Sequence, residues 1–412
     1  MFFVMHRWSL AANVTACKMP PDMDHARYII VGGGVAGTVA AETLRMQDAE
    51  ARIVIVSAED YPLYSRVLLP NYVRGKIPRE KVFLRTWEQY AAKKIEVLRG
   101  RAVVSVDAVA HIATLDDGAE WQYEKLLVAT GGKAAVPPPF AGLPHMLPFH
   151  TVDDADRIRT EVERLSMLPE GSRRAAIVGG GFIALEFPPF FAPHGIETHL
   201  LLRGPRFLHR IMTPEGSTVI ERILESYGVI IHRNVEVKGV SEMPDGLMLT
   251  LSDGSTLEVG AVGIGLGLAT NAPEGVLHGA GIGADAQLKT AQADMWTAGD
   301  AAEFDDIIAG CRHQLGNWLN ADQQGRCAAK NMAGTRCTFE NVSQYSMYIF
   351  DTVIAMAGDR PKDVVPRIIA DGAKHVELYE KDGILVGATM IGLAAERSAI
   401  IAAIKNKQTS PL

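Results

Sequence analysis

The sequence predicts an α/β protein: two Rossmann-like nucleotide-binding domains followed by a small α+β domain. Three observations carry that prediction. A strand, a glycine-rich turn and a helix occur in order from Tyr28, the same order recurs from Ala175, and beyond about residue 337 the pattern changes to antiparallel strands with a closing helix. At roughly 150 residues per domain, 412 residues leave room for two or three domains.

The first element is the run Tyr28-Ile29-Ile30-Val31, apolar throughout, as a strand buried on both faces is. Gly32-Gly33-Gly34-Val35-Ala36-Gly37 follows, then a helical stretch to Arg45, then Ile53-Val54-Ile55-Val56 with Glu59 just beyond. Strand, G-x-G-x-x-G, helix, strand and an acid about 20 residues on make up the dinucleotide fingerprint. Gly32 permits the tight turn, Gly34 lets backbone approach a pyrophosphate, and Gly37 lets the helix pack on the strand. The helix N-terminus offers unpaired N–H groups to the phosphates. Glu59 is placed to accept hydrogen bonds from ribose hydroxyls.

The second copy runs from Ala175-Ala176-Ile177-Val178 through Gly179-Gly180-Gly181-Phe182-Ile183-Ala184 into a helix carrying Glu186, and on to the strand Thr198–Leu202. Two dinucleotide folds in one chain imply electron transfer between two nucleotides. Pro188-Pro189 falls in the second turn of the second helix. Proline there removes hydrogen bonds and clashes with the preceding turn, at roughly 3 kcal/mol. The helix is expected to end or kink near Phe187, leaving its first turn free to contact phosphate.

The last segment reads as strands at Tyr345–Ile354, Lys374–Tyr379 and Gly383–Met390, with a Lys381-Asp382-Gly383 turn between the last two and a helix at Ala394–Lys405. Composition narrows the function. Charged residues make up 22 % and hydrophobic residues 48 %, which argues against disorder. The net charge of −7 argues against nucleic acid and against a polybasic membrane surface. No apolar run reaches the length of a membrane span. Cys17, Cys311, Cys327 and Cys337 form no C-x-x-C pair, so they read as reduced structural thiols of a cytoplasmic protein. The twelve histidines are dispersed, His194 and His199 across a helix-to-strand junction and His313 reading as structural, so no metal is expected. Residues 1–26 read as a non-native or upstream extension, with Met19 or Met23 as the alternative start, rather than as a signal peptide.

The chain resembles the FAD-dependent pyridine nucleotide-disulfide oxidoreductase superfamily from about residue 27 to 405. Tyr123-Glu124-Lys125-Leu126-Leu127-Val128-Ala129-Thr130-Gly131 is similar to the family element at the crossing between the nucleotide domains, and Thr297-Ala298-Gly299-Asp300 to the element whose Asp bonds the ribityl chain of FAD. A narrower resemblance is to the NADH-binding part of assimilatory nitrite reductases and to rubredoxin-reductase-like proteins. It rests on Tyr64–Gly75, on Asn317-Trp318-Leu319-Asn320-Ala321 with Gln324-Gly325-Arg326 and Asn331–Gly334, and on Glu380–Gly392. The resemblance implies an FAD domain at 27–148 and 271–336, an inserted NAD(P) domain at 149–270 and an interface domain at 337–412. It implies FAD contacts by Gly32, Gly34, Val35, Ala36, Gly37, Glu59, Arg66, Val103, Ala129, Thr130, Gly131, Gly299 and Asp300, with a surface salt bridge as the alternative for Arg66. It implies nicotinamide-nucleotide contacts by Gly179, Gly181, Phe182, Ile183, Glu186, Arg203 and Gly265. FAD is assigned to the first fold because only that fold is completed by a later segment, Gly299-Asp300, and a long cofactor needs so remote a contact. Trp318 lines the flavin pocket or belongs to the core.

The expected function is an NAD(P)H oxidoreductase that passes hydride to FAD and electrons to a rubredoxin- or ferredoxin-like protein, a quinone or oxygen. No catalytic side chain is named, because FAD carries the chemistry. The chain would be a monomer or homodimer, stand-alone or one subunit of a larger system, lacking an iron–sulfur module and a sirohaem domain. The sequence departs from the family at four places. No cysteine lies between Tyr64 and Tyr72, where disulfide reductases and peroxidases place theirs, and an attack on disulfide or peroxide needs a thiolate. Asn71 stands where ferredoxin-reductase relatives often place Lys. Leu202 stands where NADH-preferring members end the strand with Glu, and Arg203 or Arg206 then either holds a 2′-phosphate or is solvated. Together with Pro188-Pro189, Leu202 supports the alternative of an electron-transfer flavoprotein subunit whose nicotinamide site is degenerate.

Overall fold

The computed structural model describes residues 23–412 apart from 373 and 394. Of the expected extension, residues 1–22 lie outside the described residues, whereas Asp24 to Ala26 belong to the first strand. That strand starts earlier than Tyr28 because Asp24 pairs with Trp121, with Ala26 buried behind it.

The first sheet is built from β1 (Asp24–Val31), β2 (Ile53–Ser57), β3 (Ile95–Arg99), β4 (Val103–Asp107), β5 (Ile112–Leu115) and β6 (Glu120–Val128), in the order β3-β2-β1-β6-β5-β4. Ile53–Val56 of β2 are apolar and buried, as are the C-terminal ends of the next two strands, Tyr28–Val31 of β1 and Leu126–Val128 of β6, as parallel strands covered on both faces must be. Helix α1 (Val35–Gln47) connects β1 to β2, and a short α2 (Leu69–Val73) lies between β2 and β3.

The second sheet contains β7 (Met146–Pro148), β8 (Arg174–Val178), β9 (Glu197–Leu202), β10 (Ile230–Arg233) and, later in the chain, Ala261–Ile264, all parallel. Its helices are α3 (Val152–Ser166), α4 (Phe182–Glu186), α5 (Pro188–Phe191) and α6 (Pro214–Ser226). The break between α4 and α5 falls at Phe187, where the proline pair interrupts the hydrogen-bond ladder. A small antiparallel sheet, β11 (Val237–Met243), β12 (Gly246–Leu251) and β13 (Thr256–Val259), precedes β14 (Ala261–Ile264).

The chain then returns to the first sheet. β15 (Met295–Thr297) pairs in parallel with the end of β6, Leu126 opposite Met295. A hairpin of β16 (Ala302–Asp306) and β17 (Cys311–Gln314) leads into α7 (Trp318–Met332). Helix α7 packs tightly along α1: a Cβ on Gly325 would lie 2.2 Å from the Ala36 carbonyl oxygen.

The C-terminal domain is one antiparallel sheet, β18 (Gln344–Ile349), β19 (Thr352–Gly358), β20 (Arg367–Asp371), β21 (Lys374–Lys381) and β22 (Ile384–Ile391), in the order β18-β19-β22-β21-β20, with α8 (Arg397–Lys405) against it. The run Tyr345–Ile354, expected as one strand, is a hairpin that turns at Phe350, whose φ is +49°. β20 was not expected; it is exposed along its whole length and has no burial periodicity to reveal it. The thiol expectation is corrected for two residues: Cys327 and Cys337 are joined as a disulfide, Cys311 is free, and Cys17 lies outside the described residues. One apolar cluster runs from Tyr64, Leu69 and Val82 through Val152, Ile158 and Phe187 to Met347 and Ile354, so the connection between β2 and β3, the second sheet with its helices and the C-terminal sheet share a core.

Candidate functional site

The first glycine turn leaves β1 in a space only glycine can use. Gly32 has φ +116°, and a Cβ there would lie 2.3 Å from the Ala129 carbonyl oxygen. A Cβ on Gly37 would meet the Gly32 carbonyl oxygen at 1.9 Å, so α1 sits directly on the turn. Gly34 differs. It is the N-cap of α1, no side chain caps it, and nothing lies within 4 Å of where its Cβ would be. The first turn holds no acid, so the amides of Val35, Ala36 and Gly37 present an uncompensated positive end.

Side chains from four further segments surround this cradle. Arg66 donates to the Glu59 carboxylate at 2.9 Å and to the His150 carbonyl at 2.6 Å, and the Tyr64 hydroxyl donates to Glu59 at 2.6 Å. The carboxylate expected to meet a ribose is thus already oriented by two neighbours. The buried Thr130 Oγ1 has no hydrogen-bond partner, and Gly131, with φ +63°, opens onto free space. Gly299, at φ +80°, donates its N–H to Gln324 Oε1 at 2.8 Å. The Asp300 side chain is drawn inward beside Gly316, and burial raises its pKa while Arg66 opposes the rise. Val103 starts β4 with its side chain in the core beside Val54 and Val56, so only its backbone remains for a ligand. Burial and Arg66 hold the His150 imidazole down to about 3, neutral at any working pH. An open anion cradle, an orphaned buried hydroxyl and an inward carboxyl fit a phosphate-bearing cofactor with a hydroxylated chain.

The second turn repeats the backbone of the first. Gly179 has φ +131°, its Cβ would lie 2.2 Å from the Gly265 carbonyl oxygen, and a Cβ on Gly265 would strike Ala184. Gly181 is the uncapped N-cap of α4 with nothing within 4 Å of its Cβ position. Beneath this turn the neighbours are apolar. Leu202 is buried and would touch a Cβ on Gly180, and Phe187 fills the space under Gly263. Phe182 and Ile183 open α4, and the Phe182 ring lies 4.8 Å from the Tyr345 ring of the C-terminal sheet. Glu186 ends α4 in a recess where desolvation raises its pKa to about 7, against the pull of Arg74. Arg203 is 71 % exposed and 3.8 Å from Glu236, whereas Arg206 buries an unpartnered Nε.

The family pattern of the pyridine nucleotide-disulphide oxidoreductases matches residues 26–325. The chain belongs to that family. It is therefore an FAD-dependent oxidoreductase that uses a nicotinamide nucleotide. Among curated relatives it is 29 % identical over 351 residues to a 5,5′-dehydrodivanillate O-demethylase ferredoxin reductase subunit from Sphingobium sp., covering 82 % of this chain and 84 % of that one. It is 26 % identical over 399 residues to an NADH oxidase from Methanocaldococcus jannaschii, covering 89 % and 87 %. A solved ferredoxin reductase from Rhodopseudomonas palustris superposes with a TM-score of 0.83 at 26 % identity, over 94 % of this chain and 96 % of that one. Among the described residues no helix is long and apolar enough to cross a membrane.

Trp318 is half-buried at the first turn of α7. Four contributors escaped the sequence reading: Tyr64 and Gln324, which hold Glu59 and Gly299, and Gly316 and Tyr345, which face Asp300 and Phe182. Tyr64 and Gln324 lie inside motifs whose pattern is readable, but nothing in a linear pattern assigns them a contact.

Proposed function

We propose that FAD lies along Gly32, Gly34, Val35, Ala36, Gly37, Glu59, Arg66, the Val103 backbone, Ala129, Thr130, Gly131, Gly299 and Asp300. NAD(P)H binds Gly179, Gly181, Phe182, Ile183, Glu186 and Gly265, and the electrons leave to a small ferredoxin- or rubredoxin-like protein. When bound, FAD accepts hydride from reduced nicotinamide and releases electrons onward. The chain's own part is positional. The α1 amides hold the pyrophosphate, Glu59 accepts from ribose, and Asp300 and Thr130 bond the polar chain that follows. The α4 amides hold the second pyrophosphate. Glu186, uncharged up to near neutrality, can face a nicotinamide without adding a fixed negative charge to the recess.

The observation that carries this reading is the pair of empty-sided N-caps, Gly34 and Gly181, each with room for a ligand where a Cβ would stand. The intact first turn of α4 disfavours the degenerate-site alternative, since the proline break comes after it. The acceptor follows from the ferredoxin reductase relatives. The test is an anaerobic titration of the yellow protein. Flavin absorbance should bleach with NADH or NADPH and return when oxidised ferredoxin or rubredoxin is added. If neither nucleotide bleaches it, the reading fails.

A further inference from the structure

The seam between the β16–β17 hairpin and the C-terminal sheet brings together a cysteine, a histidine and an aspartate. Cys311 and His313 are alternate residues of β17, so their side chains leave the same face of the strand. Asp359 follows directly on β19, in the other domain. Cys311 Sγ lies 3.0 Å from His313 Nε2, and the candidate ligand atoms of all three side chains lie within 4.8 Å of one another. Cys311 is exposed and in no disulfide. The Arg360 amide donates to Asp359 Oδ1 at 2.8 Å, which orients the carboxylate while leaving its other oxygen free. No ligand spacing in the sequence announces the group, because Asp359 joins the pair only through the tertiary fold.

We propose that Cys311, His313 and Asp359 are three ligands of a zinc ion that clasps the C-terminal domain to the hairpin. A thiolate, an imidazole and a carboxylate are the donors zinc takes, at about 2.3 Å for sulfur and about 2.0–2.2 Å for nitrogen and oxygen. Such bonds place neighbouring ligand atoms roughly 3.3–3.6 Å apart around a tetrahedral ion, a span these side chains reach with small rotations. The thiolate sets the site apart from magnesium or calcium sites, which take oxygen. Three protein ligands leave the fourth position to water. Binding moves the Cys311 thiol proton to solvent and transfers no electron.

The site would do more than hold a surface loop. From Cys311, β17 runs to Gln314, whose side-chain amide donates to the Asp300 carbonyl at 2.9 Å, and then to Gly316 against the Asp300 carboxyl. An ion at one end of β17 therefore steadies the backbone that carries Asp300. This consequence for FAD rests on the proposed function; the metal site does not.

The test uses the full chain with its FAD. Protein stripped with chelator is dialysed against zinc chloride and then against metal-free buffer, and zinc per polypeptide is measured by elemental analysis. Wild type and Cys17→Ser should retain one zinc per chain, while Cys311→Ser and Asp359→Asn should retain none. Zinc should also slow alkylation of Cys311 in wild type, with the protection falling by at least about tenfold in Asp359→Asn, since even outer partners of a metal count on that scale. Retained flavin colour shows that each variant has folded. Wild type without zinc, or Cys311→Ser carrying as much as wild type, overturns the proposal. Failure of nicotinamide to bleach the flavin would overturn the proposed function and leave this one standing.

Discussion

The two glycine turns have nearly the same backbone and opposite surroundings. Around the first turn the neighbours are polar, Glu59 and Arg66 from one connection and Thr130 and Asp300 from two others. Around Gly181 they are largely apolar, with Leu202 and Phe187 beneath and Phe182 against Tyr345 at the rim. A glycine turn on a helix N-terminus supplies only the pyrophosphate contact. What is added decides how long the ligand stays. Many polar groups fixed in advance suit a resident cofactor, because little ordering is left to be done on binding. A smooth apolar bed with one half-buried carboxyl suits a ligand that must leave after every turnover.

The most drastic way to break the comparison is to fill each cradle. Gly34→Val places a side chain in open space, so the chain should fold yet purify colourless, its FAD content near zero by absorbance. Gly181→Val should do the reverse, keeping a full complement of flavin while neither nucleotide bleaches it. If Gly34→Val stayed yellow, the first site would be wrongly assigned.

A milder change probes the polar shell. Asp300→Ala should leave the protein yellow when concentrated but losing flavin on dilution. The expected loss is about 0.5–1.5 kcal/mol for an ordinary hydrogen bond, or up to roughly tenfold in affinity, read by fluorescence of released FAD.

Leu202→Glu sharpens the second site. A carboxylate at that strand end repels a 2′-phosphate and accepts from a 2′-hydroxyl. The ratio of kcat/KM for NADH over NADPH should rise by about tenfold, near 1.4 kcal/mol. An unchanged ratio would mean that the strand end does not face the ribose.

Glu186 gives the smallest effect. Its pKa is raised from 4.5 to about 7, so the folded state binds more protons than the unfolded chain between those values. Stability contributed by this group therefore falls as pH rises through that window. Glu186→Gln should flatten the fall, so thermal midpoints of variant and wild type should diverge from pH 5 to pH 8 in the variant's favour. Parallel midpoints across the range would refute the burial argument.

The same contrast explains what could be read in advance. Both glycine turns were legible because the requirement is local: a positive φ at Gly32 and Gly179 and a close approach at Gly37 are written in adjacent residues. Pro188 announced its break for the same reason. The polar shell was legible only where a motif names a residue, as at Asp300. That Arg66 would bridge Glu59 and the His150 carbonyl depends on how two domains dock. Tyr345 lies in a run that reads as plain strand, and the turn at Phe350 inside that run carries no Gly, Asn or Pro, only an aromatic ring stacked on Tyr227. The Cys327–Cys337 pair escaped because its ten-residue spacing matches no redox or metal pattern.

The return of β15 to β6 has a consequence for how the molecule is made. On the ribosome, Leu126 to Val128 emerge well before Met295 to Thr297, and the entire inserted domain is synthesised between them. Until then the C-terminal half of β6 has an open edge, and the segment bearing Asp300 does not yet exist. The inserted domain closes its own parallel sheet with Ala261–Ile264 and needs nothing further downstream for that sheet. Synthesis therefore runs inside out, with the later-starting domain completed first. A chain stopped before residue 295 would keep its second sheet and present a ready strand edge to any neighbour.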